Sequence, residues 1–84
     1  MTHLWTGGQE ISVQADAEAQ PVSFVWFGRQ HGIVRVCNAW RVHTGWWRQE
    51  VRRDYFKVQT EDGLLCVVYH DLLAGRWHLV RVYD

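Results

Sequence analysis

Residues 22–27 alternate strictly, with Val22, Phe24 and Trp26 on one face and Ser23, Val25 and Phe27 on the other. That is the period-2 signature of a β-strand. A turn at Gly28-Arg29-Gln30 leads into residues 31–37, where Ile33, Val34 and Val36 predict the second arm of a hairpin. Asn38-Ala39 predicts a turn or bulge into residues 40–44, where Trp40, Val42 and Thr44 oppose Arg41 and His43. Alternation returns at residues 55–60, with Phe56, Val58 and Thr60 against Tyr55, Lys57 and Gln59. Glu61-Asp62-Gly63 predicts a tight hairpin turn, because Asp-Gly supplies the positive φ angles such turns need. Residues 64–70 are almost continuously apolar, as expected of a central strand covered on both faces. After a connection at residues 71–75, residues 76–83 place Trp77, Leu79, Arg81 and Tyr83 against His78, Val80 and Val82.

Two stretches lack that rhythm. Residues 45–54 (GWWRQEVRRD) have neither period and are expected to form an irregular loop with at most a turn of helix. Near the N-terminus a short strand is predicted at residues 11–14, preceded by Gly7-Gly8 as a flexible lead-in and followed by a polar loop, ADAEAQ, that Pro21 closes. Residues 1–20 are therefore expected to be more loosely attached to a single β domain spanning residues 1–84.

Six strands joined by short turns favour antiparallel neighbours, since a parallel crossover needs about a dozen residues or more. The predicted fold class is all-β, a small antiparallel meander curled into a barrel or half-open roll. Helix is expected to stay below about one-fifth of the chain, given the runs of alternation. At 84 residues a single core is expected. Six Trp, three Tyr and three Phe can fill it without a metal or disulfide.

Charge refines this picture. The formal net charge is zero, but residues 1–28 carry −3, residues 29–58 carry +5 and residues 59–84 carry −2. Eight of the nine basic residues are Arg, whose planar guanidinium pairs bidentately and stacks on rings. No basic start followed by an apolar segment marks a signal peptide, and no apolar run is long enough for a membrane helix. The expectation is a soluble cytoplasmic chain with no membrane partner.

Catalytic chemistry finds little support. Cys37 and Cys66 form no CxxC pair and sit in apolar stretches, so both are expected to be buried, reduced and metal-free. The five histidines show no metal-ligand spacing; a cross-strand site of His70, His78 and Cys66 is the only arrangement the strand pattern suggests. Ser12 and Ser23 lie in strands without a nucleophile elbow. No catalytic residue, cofactor or metal site is assigned, and an enzyme is the least supported class.

Residues 40–57 (WRVHTGWWRQEVRRDYFK) differ in kind. Aromatic residues interleave there with Arg41, Arg48, Arg52, Arg53 and Lys57. Binders of single-stranded nucleic acid combine cations with aromatic platforms, because every base has a π-face and every linker a charge. Trp40 and Phe56 are expected in the core. Trp46 and Trp47, being adjacent, cannot both point inward from an extended chain, so one of them is a candidate anchor. The candidate binding residues are Trp46, Trp47, Arg41, Arg48, Arg52, Arg53 and Tyr55. The competing reading makes the aromatics core and lets the arginines lie over them while pairing with Glu50 and Asp54. A third makes the segment a protein interface, including that of a homodimer.

The run PVSFVWF at residues 21–27, the block WRVHTGWWRQEVRRDYFKVQTEDGLL at residues 40–65 and the tail DLLAGRWHLVRVYD at residues 71–84 resemble a small bacterial domain of unknown function. That domain is found alone and near, or fused to, Y-family translesion DNA polymerases. The resemblance implies a place in DNA damage tolerance, with nucleic acid or a polymerase component as partner. It assigns no catalytic role to any residue.

Overall fold

The computed structural model describes residues 2–46 and 49–83. Six strands follow one another: β1 (Thr2–Ala15), β2 (Pro21–Trp26), β3 (Arg29–Trp46), β4 (Gln49–Thr60), β5 (Leu65–Asp71) and β6 (Arg76–Tyr83). Each pairs antiparallel with its sequence neighbour, and β1 also pairs with β6, so the meander closes into a barrel. Short connections dictate this order, and closure removes most of the sheet edge. No helix among the described residues is long and apolar enough to cross a membrane.

The turns follow their local chemistry. Gly63 and Gly75 both take positive φ, +86° and +71°, after Asp62 and Ala74 respectively. Asp16 caps its own loop by accepting bonds from the Glu18 and Gln20 amides, and Asp71 does the same for Leu73 and Ala74. Such Asx turns offer the backbone a local partner that competes with continued pairing.

Inside the barrel Phe24, Phe56, Val58, Cys66, Val68, Trp77, Leu79 and Val82 form one buried cluster, with Ile11, Val13, Trp26, Ile33, Val36 and Leu64 packed against it. At one end His31, stacked on Phe24, meets Asp62 at 3.0 Å. Thr60 donates its hydroxyl to the same carboxylate at 2.6 Å and accepts the Leu64 amide, which ties the β4–β5 turn across the barrel mouth.

The β2–β3 turn is Phe27-Gly28 and not Gly28-Arg29-Gln30, since Arg29 and Gln30 already pair with Trp26 and Val25. The structure departs further from the sequence expectations in four places. First, residues 45–54 are not a loop: β3 and β4 pair without interruption from Asn38↔Lys57 to Trp46↔Gln49, forming a long hairpin arm. Second, β1 begins at Thr2 rather than near Ile11, pairing with β6 from Thr2↔Tyr83 onward. Its register slips between Leu4 and Gln9, and Gly8 there takes φ +87°, a conformation open chiefly to glycine.

Third, β3 carries two bulges, at Val34 and Cys37, where two residues of β3 stand against one of β4. Cys37 is consequently exposed, whereas Cys66 is fully buried and its thiol is pushed up to about 12 by burial. Trp40, two residues beyond the shift, lies on the outer face and is 41 % exposed, so it is not a core residue; Phe56 is. Fourth, β6 has one bulge, at Val80, which reverses its faces. Trp77, Leu79 and Val82 point inward, while His78, Arg81 and Tyr83 point outward.

Candidate nucleic-acid interface

Strand pairing arranges the outer face of β3–β6 into ranks running across the sheet. One rank is Trp40–Tyr55–Tyr69–His78, each residue directly opposite the next. Residues two positions away along each strand, or three on β6 across the Val80 bulge, fall on the same face, roughly 7 Å distant. They form a rank on either side: Asn38–Lys57–Val67–Arg81 on one, Val42–Arg53–Asp71–Arg76 on the other.

The central rank is a ladder of rings. Trp40 stacks on Tyr55 at 5.4 Å between centroids and 7° between planes, Tyr55 tilts against Tyr69 at 5.2 Å, and Tyr69 stacks on His78 at 4.7 Å. Aromatic pairs favour such offset arrangements by roughly 0.5–1.5 kcal/mol beyond burial. Gly8 closes the inner end, since a Cβ there would sit 2.9 Å from His78 Cβ and 3.0 Å from Tyr69 Cε2. The ladder therefore starts at half-buried His78 and buried Tyr69 and ends exposed, at Trp40. Beyond Trp40 lies an open sheet edge, because among the described residues β3 pairs with β2 only over Arg29–Gly32.

The cations around this ladder rest on rings rather than on carboxylates. The Arg53 guanidinium lies 4.5 Å from the centre of the Tyr69 ring and donates to the Tyr55 hydroxyl at 3.3 Å. Lys57 Nζ lies 5.4 Å and the Arg81 guanidinium 5.5 Å from the centre of the Tyr83 ring, and Arg81 donates to the Tyr83 hydroxyl at 3.0 Å. Among the described residues Arg53, Lys57 and Arg81 form no ion pair. A cation over a ring keeps its full charge for an incoming anion.

The opposite face of the arm is neutralised. Arg41 grips Asp54 through two bonds of 2.6 and 3.2 Å, which raises the Arg41 guanidinium further above its usual range. Arg52 pairs with Glu50 at 2.8 Å, and His43 meets the same carboxylate at 3.1 Å. The seven candidate binding residues thus divide. Arg53 and Tyr55 belong to the ring-bearing face; Arg41 and Arg52 lie on the other, paired with acids; Trp46 pairs with Gln49 near the tip; and Trp47 and Arg48 lie outside the described residues.

Reasoning from sequence missed Tyr69, His78, Lys57, Arg81 and Tyr83 as one surface. Lys57 and Tyr55 stand out by alternation, but the β6 residues become visible only once the Val80 bulge is known.

A groove of about 400 Å³ opens beside the ladder, lined by Asn38, Trp40, Tyr55, Lys57, Val67, Val80, Arg81 and Tyr83. By contrast, His70, His78 and Cys66 do not converge. His70 stacks on Trp77 at 4.4 Å on the inner side with Cys66, while His78 faces outward. The Thr60–Asp62–His31 constellation is built for structure: Thr60 is 2 % exposed and its hydroxyl is already donated to the carboxylate. That bond, with lesser help from His31, holds the Asp62 carboxyl below its ordinary range.

A family model described as a domain of unknown function, DUF6504, matches residues 7–84. None of the curated proteins and none of the solved structures matches the chain.

Proposed function

We propose that this chain, which belongs to the DUF6504 family, is a non-enzymatic binding module that holds single-stranded nucleic acid on the outer face of β3–β6. The observation that carries the reading is the ring ladder ending in exposed Trp40 at an open edge, with ring-borne cations in the ranks on both sides. An unstacked base extends the ladder by stacking against Trp40. Arg53 on one side and Lys57 with Arg81 on the other meet the phosphates. Resemblance to a domain found beside Y-family translesion polymerases supports a bacterial, cytoplasmic role near DNA damage tolerance.

Tryptophan fluorescence titration with single-stranded DNA at two salt concentrations tests this. Three phosphate contacts predict a log–log slope of about −2, from roughly −0.7 each. Replacing Trp40 by Ala costs ~1–3 kcal/mol of binding with the fold retained, since Trp40 is half-exposed. No quenching at low salt, with the fold intact, sinks the proposal.

One observation favours a second reading, a protein interface. The unpaired edge of β3 beyond Gly32 offers backbone groups to an added strand from a second copy or a polymerase component. Sedimentation separates the two, because concentration-dependent dimerisation that Trp40→Ala leaves untouched belongs to the edge and not to the ladder.

A further inference from the structure

The groove beside the ladder carries enough chemistry to say which bases it accepts. Its walls are Trp40 with Tyr55 on one side and Tyr83 on the other, and its floor is Val67 and Val80. That is a slot for a flat, partly apolar group, and its volume of about 400 Å³ falls in the range of small-molecule sites, roughly 300–1,000 Å³.

The polar groups of its lining are biased toward donors. Asn38 Oδ1 is committed to the Ala39 amide at 2.9 Å. That bond fixes the orientation of the amide and leaves its NH₂, which can only donate, free for a ligand. Lys57 and Arg81 are donors without acceptor capacity. The Tyr83 hydroxyl already accepts from Arg81, and the Tyr55 hydroxyl from Arg53. Among the described residues no carboxylate lines the groove.

We infer that this groove is a subsite for one keto base, thymine, uracil or guanine, of the single strand. The inference rests on the nucleic-acid reading above and adds its selectivity. A keto base presents a carbonyl oxygen to the Asn38 amide, while Lys57 and Arg81, turned to the phosphates, offer an amino base no acceptor in its place. Cytosine and adenine turn an exocyclic NH₂ toward the same donor, so the hydrogen bond that a keto base forms there is forfeited.

The experiment compares short oligothymidylate and oligodeoxycytidylate of equal length by fluorescence anisotropy at fixed salt. These pyrimidines differ at the position where thymine carries a carbonyl and cytosine an amino group. Thymidylate is expected to bind about threefold to tenfold more tightly, the span of one hydrogen bond gained or forfeited. Asn38→Asp replaces the amide donor with an acceptor, so the thymidylate-to-deoxycytidylate ratio falls toward or below one. Taking the ratio cancels the loss that the added negative charge imposes on both oligomers. Asn38→Ala, which removes the group without adding charge, collapses the ratio toward one. Equal affinity of the wild-type chain for the two oligomers, with salt-dependent binding intact, overturns the keto subsite and leaves the nucleic-acid reading standing. A wild-type preference that survives both Asn38 variants likewise overturns it. Failure to bind either oligomer overturns both.

Discussion

The closed barrel and the hairpin arm that leaves it use the same residue types to opposite ends. On the barrel side Arg53, Lys57 and Arg81 lie on tyrosine rings and retain their charge toward solvent; on the far face of the arm Arg41 and Arg52 are bound to Asp54 and Glu50. Cys66 is sealed among Val58, Val68 and Val82, while Cys37 is exposed at a bulge. The difference teaches that a count of arginines does not locate a binding face. What matters is the acceptor each one already has, and strand register decides that.

The largest effect separates the two thiols. Cys66 titrates near 12 in the folded chain and near 9 when exposed. Its contribution to stability is therefore complete below about pH 9 and is lost as pH rises toward 12. The distance between those two values corresponds to about 4 kcal/mol, at roughly 1.36 kcal/mol for each pH unit. Urea denaturation across that window should show the loss, and Cys66→Ala should remove the thiol's share, leaving that of Tyr69, whose hydroxyl burial also pushes up. An equal alkaline loss in the variant would mean that another group controls it.

Next in size is the ladder's buried rung. Tyr69 is 3 % exposed and is held by Tyr55, His78 and Arg53. Its replacement by Ala should cost about 3 kcal/mol of unfolding free energy, in line with other large aromatic truncations. A loss well under about 1 kcal/mol would show that the ladder only decorates the barrel.

The smallest effect would abolish the contrast between the faces. Glu50→Gln with Asp54→Asn releases Arg52 and Arg41, giving the arm a second basic face. Stability should hardly change, because exposed ion pairs contribute little. The salt dependence of oligonucleotide binding should steepen by up to about 1.4 in slope, from two further contacts at roughly 0.7 each. An unchanged slope would show that the carboxylates were not what silenced those arginines.

Much of the barrel was legible in the chain. The alternation at residues 55–60, the Asp-Gly turn and the apolar run on β5 all correspond to what forms, and Val67 and Tyr69 show that β5 is indeed covered on both sides. The arm was not legible, for a physical reason. Beyond Trp40↔Tyr55 no described residue of the arm joins the buried core, so no hydrophobic alternation is required there, and the register is carried instead by charged pairs such as Arg41–Asp54. The ring-bearing face was only half visible. Tyr55 and Lys57 share a face by simple counting, but alternation with Arg41 and His43 sends Trp40 to the core instead, and Arg81 and Tyr83 join the face only through the extra residue at Val80.

That extra residue has a consequence for how the gene can vary. Each bulge acts as a parity switch for the residues downstream. On β3 the switches at Val34 and Cys37 come as a pair, so the second restores what the first inverted. On β6 the switch at Val80 stands alone, and everything after it depends on that one codon. An in-frame deletion there would turn Arg81 and Tyr83 toward the hydrophobic interior and Val82 toward water. A deletion in the residue 16–20 loop shifts no strand's parity. Length variation among descendants of this sequence should therefore collect in the turns and spare the end of β6, even where substitutions at Val80 itself are freely accepted.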